Sequence, residues 1–153
     1  MPEIVLSLVP VDRFFVPSPE QSALARRIVT TSMPESSGTS EIDEVFPGTV
    51  HYFETGQELE ETECPVCNEP LSEEIEWWSQ AMRKAHETGF FDLRTTTPCC
   101  RKIIRLNDLP ETGAFASYGL TITNPPKGFL THELKQALEA AIGARLHAVY
   151  RHE

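Results

Sequence analysis

All four cysteines of this 153-residue chain fall within 37 positions, as Cys64-Pro65-Val66-Cys67 and Cys99-Cys100. No other feature limits the fold of the middle of the chain as strongly. The first pair has the spacing at which two thiolates reach one tetrahedral Zn²⁺ if the backbone turns tightly between them. Asn68 follows the second thiol, where such a turn takes a residue to positive φ, and Asn is the usual alternative to Gly there. A thioredoxin-type redox pair shares the spacing but begins its helix at the motif. Here Pro70 and Ser72 delay the helix, which favours a metal knuckle over the redox pair and over two buried, unliganded thiols.

Adjacent thiols reach one ion only where the backbone folds back sharply between them, and Pro98 is consistent with such a bend. The expected site is therefore Cys64, Cys67, Cys99 and Cys100 around one structural Zn²⁺. The alternative replaces one of the adjacent cysteines by a histidine, His86 or His51. Four protein ligands close the site, so the ion would supply folding energy to a small insert rather than an open catalytic position. Arg101 and Lys102, beside the second pair, would offset part of the thiolate charge.

The stretch from Cys64 to Leu71 resembles zinc-ribbon knuckles. A wider pattern adds Trp77-Trp78, Gly89-Phe90, Thr97-Pro98-Cys99-Cys100, Leu106-Asn107-Asp108-Leu109 and Asn124-Pro125. It resembles a widespread family of uncharacterised bacterial proteins, over roughly Glu63 to Pro126. The resemblance implies a bacterial cytoplasmic protein with a zinc-binding insert and brings no activity with it. Arg101 departs from that pattern, standing where Gly is usual, and so does the segment from Glu111 to Ser117.

Around the insert the chain reads as two β-α-β halves. Glu3 to Val9 predicts a buried strand. Ser18-Pro19-Glu20-Gln21 predicts a capped helix start, with Leu24 and Ile28 as its apolar stripe up to about Thr30. Pro34 to Ser40 predicts a polar loop, and Thr49 to Phe53 the second strand. The last third repeats the order: a strand over Phe115 to Asn124, a helix from Thr131 to Gly143, and a strand over Leu146 to Tyr150. The simplest inference is an α+β, ferredoxin-like βαββαβ sandwich over 1–54 and 112–153, with a zinc-ribbon-like module inserted at 55–111. That insert is expected to hold an amphipathic helix from Ser72, with Ile75, Trp78, Met82 and Ala85 on one face. A hairpin over Phe91 to Thr95 and Ile103 to Leu106 should follow, its bend carrying Cys99 and Cys100.

Charge narrows the function classes. The chain carries 23 Asp plus Glu against 13 Lys plus Arg, a formal charge of −10. The excess is a block: Ile28 to Met82 has no Lys or Arg and 13 acidic residues, and the remainder is mildly basic. Such a surface repels nucleic acid and suits a basic protein partner, whose association it would steer. Glu58, Glu60, Glu61, Glu63 and Glu73 are the candidate contact residues, with Trp77 as an aromatic anchor or, more simply, a side chain half-buried under the module. Arg94, Arg101, Lys102 and Arg105 form a small basic group best read as compensating the thiolates. No nucleophile elbow, phosphate-cradling Gly-rich loop or acid–base pair in an apolar pocket is legible. The expectation is a non-enzymatic, zinc-stabilised protein-binding module, in its concrete form an immunity or antitoxin-type protein. The alternatives are a thiol or redox enzyme using the cysteine pairs and a nucleic-acid-binding zinc module. No apolar run approaches the ~20 residues of a membrane span. Glu3 replaces the positive start of a signal peptide, so the expected compartment is cytoplasmic.

Overall fold

A computed structural model of the chain describes residues 3–34, 40–56, 59–109 and 112–152. Over these residues it is a mixed α+β structure with three α-helices and antiparallel sheets. The elements run β1 (Ile4–Pro10), α1 (Pro19–Ser32), β2 (Glu41–Val45), β3 (His51–Glu54), α2 (Ile75–Glu87), β4 (Arg94–Thr96) and β5 (Ile103–Arg105). A 3-10 turn (Leu106–Asp108), β6 (Gly113–Ala116), β7 (Gly119–Thr123), α3 (His132–Ile142) and β8 (Leu146–His152) complete the chain.

The main sheet has the order β2-β7-β1-β8, with every neighbouring pair antiparallel. Strand residues alternate between its faces. Leu6, Leu8, Leu120 and Ile122 lie on one face, fully buried against Ala25 and Val29 of α1 and Leu138 and Ile142 of α3. Val9 and Val149 lie on the other and pack with Phe53 of β3 and Ala116 of β6. The β3–β6 ribbon thus forms a third layer, opposite the helices. A separate apolar cluster joins that ribbon to the cysteine-bearing segment: Val50, Phe115, Leu71, Trp78, Leu93, Ile104 and Cys64 are all buried in it. Arg13 stitches the parts together, donating from Nε to the Phe90 carbonyl (3.1 Å) and from Nη2 to that of Phe91 (2.7 Å).

Local signals place the helix ends. Ser18 caps α1 with a reciprocal Gln21 bond, Thr131 caps α3, and Gly143 ends it in the left-handed region. Four expectations need correction. The second strand of the first half is Glu41–Val45, whereas Thr49–Phe53 contributes to the separate β3–β6 ribbon. The alternation of Glu-Ile-Asp-Glu-Val is masked by acidic residues that an edge strand carries on its solvated side. Phe115–Asn124 is two strands in different sheets, broken at Ser117-Tyr118. The side of α1 facing the sheet is Ser22, Ala25 and Val29; Leu24 is exposed and Ile28 only half-buried, because close packing against the sheet favours smaller side chains. Helix α2 starts at Ile75, with no side-chain cap, rather than at Ser72. Much of the expected polar loop, 35–39, lies outside the described residues.

Glu44 reaches from the edge strand β2 into the helix layer, where its side chain is 9% exposed. Its Oε2 accepts from the Tyr118 hydroxyl (2.7 Å) and from Ser22 Oγ, and Arg26 Nε stands 3.5 Å from Oε1. Burial, reinforced by the carboxylate, pushes the Tyr118 hydroxyl's pKa well above its ordinary value. Glu44→Ala strands two buried hydroxyls and is expected to cost about 2–3 kcal/mol, while Tyr118→Phe costs ~1 kcal/mol. Urea denaturation of the two variants checks the ordering. Thr62 Oγ1 is buried with no hydrogen-bond partner among the described residues. Thr62→Val removes that cost and should raise stability by about 1 kcal/mol, read as an upward shift of the melting curve.

Candidate metal centre

Two tight turns bring the four cysteines together. In the first, Asn68 N–H donates to the Cys64 carbonyl (2.9 Å) and Cys64 N–H to that of Glu69 (2.8 Å). Asn68 sits at φ 64°, as its place after the second thiol demands. The amide of Val66 points at Cys64 Sγ (3.4 Å). The second turn repeats this scheme with a shifted ligand. Arg101 N–H donates to the Thr97 carbonyl (3.2 Å), Thr97 N–H donates to that of Lys102 (2.9 Å), and Arg101 takes φ 57°. Thr97 therefore stands where Cys64 stands in the first turn, and Cys100 where Cys67 stands. Cys99 is the additional thiol, supplied from inside the turn. A β-carbon makes φ near 57° costly, on the order of 1 kcal/mol, so Arg101 holds the turn against its own preference.

The sulfur geometry suits one ion. Cys64 Sγ and Cys100 Sγ lie 3.8 Å apart, Cys67 Sγ and Cys99 Sγ 3.4 Å apart, and all four lie within 4.8 Å of one another. With metal–sulfur bonds of about 2.3 Å, a tetrahedron has sulfur–sulfur edges of about 3.8 Å. No disulfide joins the four. Cys64 is buried, Cys100 half-buried, and Cys67 and Cys99 exposed, so one edge of the cluster faces solvent.

The protonation pattern also suits a cation. Burial acts to raise the Cys64 thiol, but the amides of Cys67 and Val66 and the neighbouring thiols outweigh it and bring its pKa down to about 7. Cys67 has the Glu69 amide lowering it, yet the surrounding thiols and burial push it up to about 12. Cys99 is also raised, chiefly by burial. Without a cation the cluster keeps protons on Cys67 and Cys99; an ion displaces them and binds the resulting thiolates.

His51 and His86 are not part of this cluster. His51 packs on Phe53 and His86 on Phe90, with ring centroids 5.0 and 5.5 Å apart. Glu60, Glu61, Glu63 and Glu73 are exposed on the segments flanking the first turn, and Glu58 lies outside the described residues. Trp77 is half-buried, and its indole N–H donates to the Thr96 carbonyl (2.8 Å), so it is tied to the hairpin rather than presented beside those glutamates. Arg94 is engaged by Asp92 through Nε (2.9 Å) and Nη2 (3.1 Å), which leaves it poorly placed to compensate the thiolates. That bidentate pairing holds the Asp92 carboxyl at a pKa of about 2.

Thr97 is the site residue that sequence reasoning missed. Its Oγ1 accepts from Lys102 N–H (3.1 Å) and lies 3.2 Å from Cys100 Sγ, so it orients a ligand and closes the turn. The signal was present, since Thr97-x-x-Cys100 has the spacing of Cys64-x-x-Cys67. Thr97→Val keeps the shape and removes the hydroxyl. It is expected to weaken metal binding about 10-fold, at the lower end of outer-sphere effects, measured by competition with a chelating dye.

Fold and site together define an α+β chain with a four-cysteine cluster able to hold one metal ion. No protein family, curated protein or solved structure matches the chain. No helix among the described residues is long and apolar enough to cross a membrane.

Proposed function

We propose that this chain is a non-enzymatic, zinc-stabilised protein-binding module. The convergence of four sulfurs at near-tetrahedral separations carries the reading. All-thiolate donor sets with two tight turns favour Zn²⁺ over harder divalent ions, and four protein ligands leave no open position for substrate. The ion is structural and fixes the two turns on which the segment 55–111 depends. In this reading the strand order β2-β7-β1-β8 is that of a ferredoxin-like sandwich, and 55–111 is a zinc-ribbon-like insert within it. The resemblance of Glu63 to Pro126 to uncharacterised bacterial proteins supports a bacterial, cytoplasmic setting.

The acidic block is the surface offered to a basic protein partner, as in an immunity or antitoxin-type protein. Glu60, Glu61, Glu63 and Glu73 are among its exposed members near the metal turns, with Glu58 in the same stretch of sequence. Unlike charge speeds encounter and makes the association rate fall with salt. Affinity capture with the zinc-loaded chain, and with a variant in which Glu60, Glu61, Glu63 and Glu73 are all Gln, tests this. A basic protein retained by the wild type and lost by the variant is expected. Equal capture by both, capture of nucleic acid that persists at moderate salt, or a mixed disulfide through Cys67 or Cys99 would each refute the reading.

A further inference from the structure

Between α2 and β4 runs a groove of about 440 Å³, lined among others by Trp77, Ala81, Lys84, Arg94, Thr96 and Ile103. The helix contributes positions 77, 81 and 84, spaced to face one direction. The strand contributes its free edge. Leu106 N–H donates to the Leu93 carbonyl and Thr97 N–H to that of Lys102, so residues 93 and 97 exchange bonds with β5. Strict alternation along an antiparallel pair then turns the N–H and C=O groups of Arg94 and Thr96 away from β5, towards the groove. Arg94 N–H is held by Asp92 Oδ1 (3.1 Å), and the Thr96 carbonyl by the Trp77 indole. Two groups remain without a partner among the described residues, the Arg94 carbonyl and the Thr96 N–H. One acceptor and one donor two residues apart are what a single added strand satisfies.

We propose that this groove binds an extended acidic peptide segment of a partner protein, which joins β4 as an additional strand. Charge selects the occupant. From Arg83 to Arg105 the chain has six Lys or Arg and two Asp or Glu, within a protein of net charge −10. Asp92 fixes Arg94 at the groove's wall, while Lys84 on the helix and Arg105, opposite Arg94 on β5, extend the positive rim. Ile103 is 74% exposed beside Thr96 and supplies an apolar contact for alternate peptide side chains. Strand β4 has three residues, about 10 Å of edge, so the recognised core is about three residues long. Single-stranded nucleic acid would also meet cations and a tryptophan, but Trp77 packs part of its ring against the apolar cluster and ties its edge to Thr96, which leaves it less face for stacking. The groove's helix wall, Trp77 and Ala81, belongs to the 28–82 stretch, but none of that stretch's carboxylates lines it, and the proposal needs only that the metal turns be formed.

The test is selection from a displayed library of random nonapeptides on protein whose zinc content is measured in the same preparation. Enrichment of sequences with Asp or Glu at alternate positions is expected. The selected peptide should lose at least 10-fold in affinity towards Lys84→Glu and towards Ile103→Asp, both exposed positions, and when its central amide is N-methylated. Binding should also protect the Thr96 amide from hydrogen exchange. No enrichment on zinc-loaded protein overturns the proposal. So does a peptide indifferent to both substitutions and to N-methylation, or tighter binding of a thymidine dodecamer at the same groove. Zinc-free protein in that preparation would instead overturn the metal reading.

Discussion

Cys64→Ser is expected to abolish stoichiometric zinc binding and to produce the largest loss of stability of any single substitution considered. Cys64 is the buried member of the cluster and lies in the same apolar core as Leu71, Trp78 and Ile104. Losing it removes a ligand, opens the first turn and leaves the remaining thiols unable to ionise together. Closed thiolate zinc sites contribute on the order of 10 kcal/mol of folding free energy, more than a domain of this size has in reserve. The expected result is a chain whose middle segment is unfolded at room temperature, with one zinc per wild-type chain and none tightly held by the variant. Metal analysis and tryptophan fluorescence read both, since Trp77 and Trp78 lie in this part of the chain. A variant with an unchanged melting curve would refute a structural ion. The sign with pH follows from the thiols: Cys67 and Cys99, both raised, must each give up a proton when metal binds. Apparent affinity should therefore rise with pH, and more steeply below about 7, where Cys64 too must lose a proton.

The second large effect is expected at Gly113, where β6 begins against β3. A β-carbon there would stand 2.2 Å from the Phe53 carbonyl oxygen and 2.9 Å from Glu54 Cα, both backbone atoms that cannot swing aside. The residue also takes φ 149°, open to Gly but not to a residue with a side chain. Gly113→Ala is expected to cost at least about 3 kcal/mol, as overpacking and backbone strain act at one place. Because β3 and β6 support both the sheet's second face and the metal segment's core, the variant should lower zinc affinity as well as the melting temperature. Calorimetry of the zinc-loaded and chelated forms separates the two contributions.

What could be read from the sequence were the features whose cause is local. The Ser18 capping box, the Thr131 cap, the Gly143 stop and the positive-φ place of Asn68 each depend on residues within a few positions of one another. The apolar face of α2 was legible at Trp78 and Ala85, though Ile75 proves exposed. The four cysteines were legible as candidate ligands by type and spacing, with His86 or His51 left as the alternative to one of the adjacent pair. Thr97 went unnoticed because a hydroxyl in a turn has many ordinary uses, and its role shows only when the two turns are compared bond by bond.

Strand pairing was decided elsewhere. Nothing in Glu-Ile-Asp-Glu-Val says that it lies beside β7, nor in Thr49–Phe53 that its strand leaves the main sheet to pair with β6. A strand's partner is fixed by hydrogen bonds and packing with residues some 60–80 positions away, as Tyr52–Phe115 and Ile42–Ile122 show. The sequence by itself therefore determined the caps of α1 and α3, the four cysteines as candidate ligands and the charge block, all governed by neighbouring residues or by residue type. Only the tertiary structure decided that Cys64 meets Cys100, that Glu44 is buried by Tyr118 and Ser22, and that α2 lies beside the free edge of β4. Each of those joins distant segments, and the free energy that selects it exists only once the intervening chain has folded.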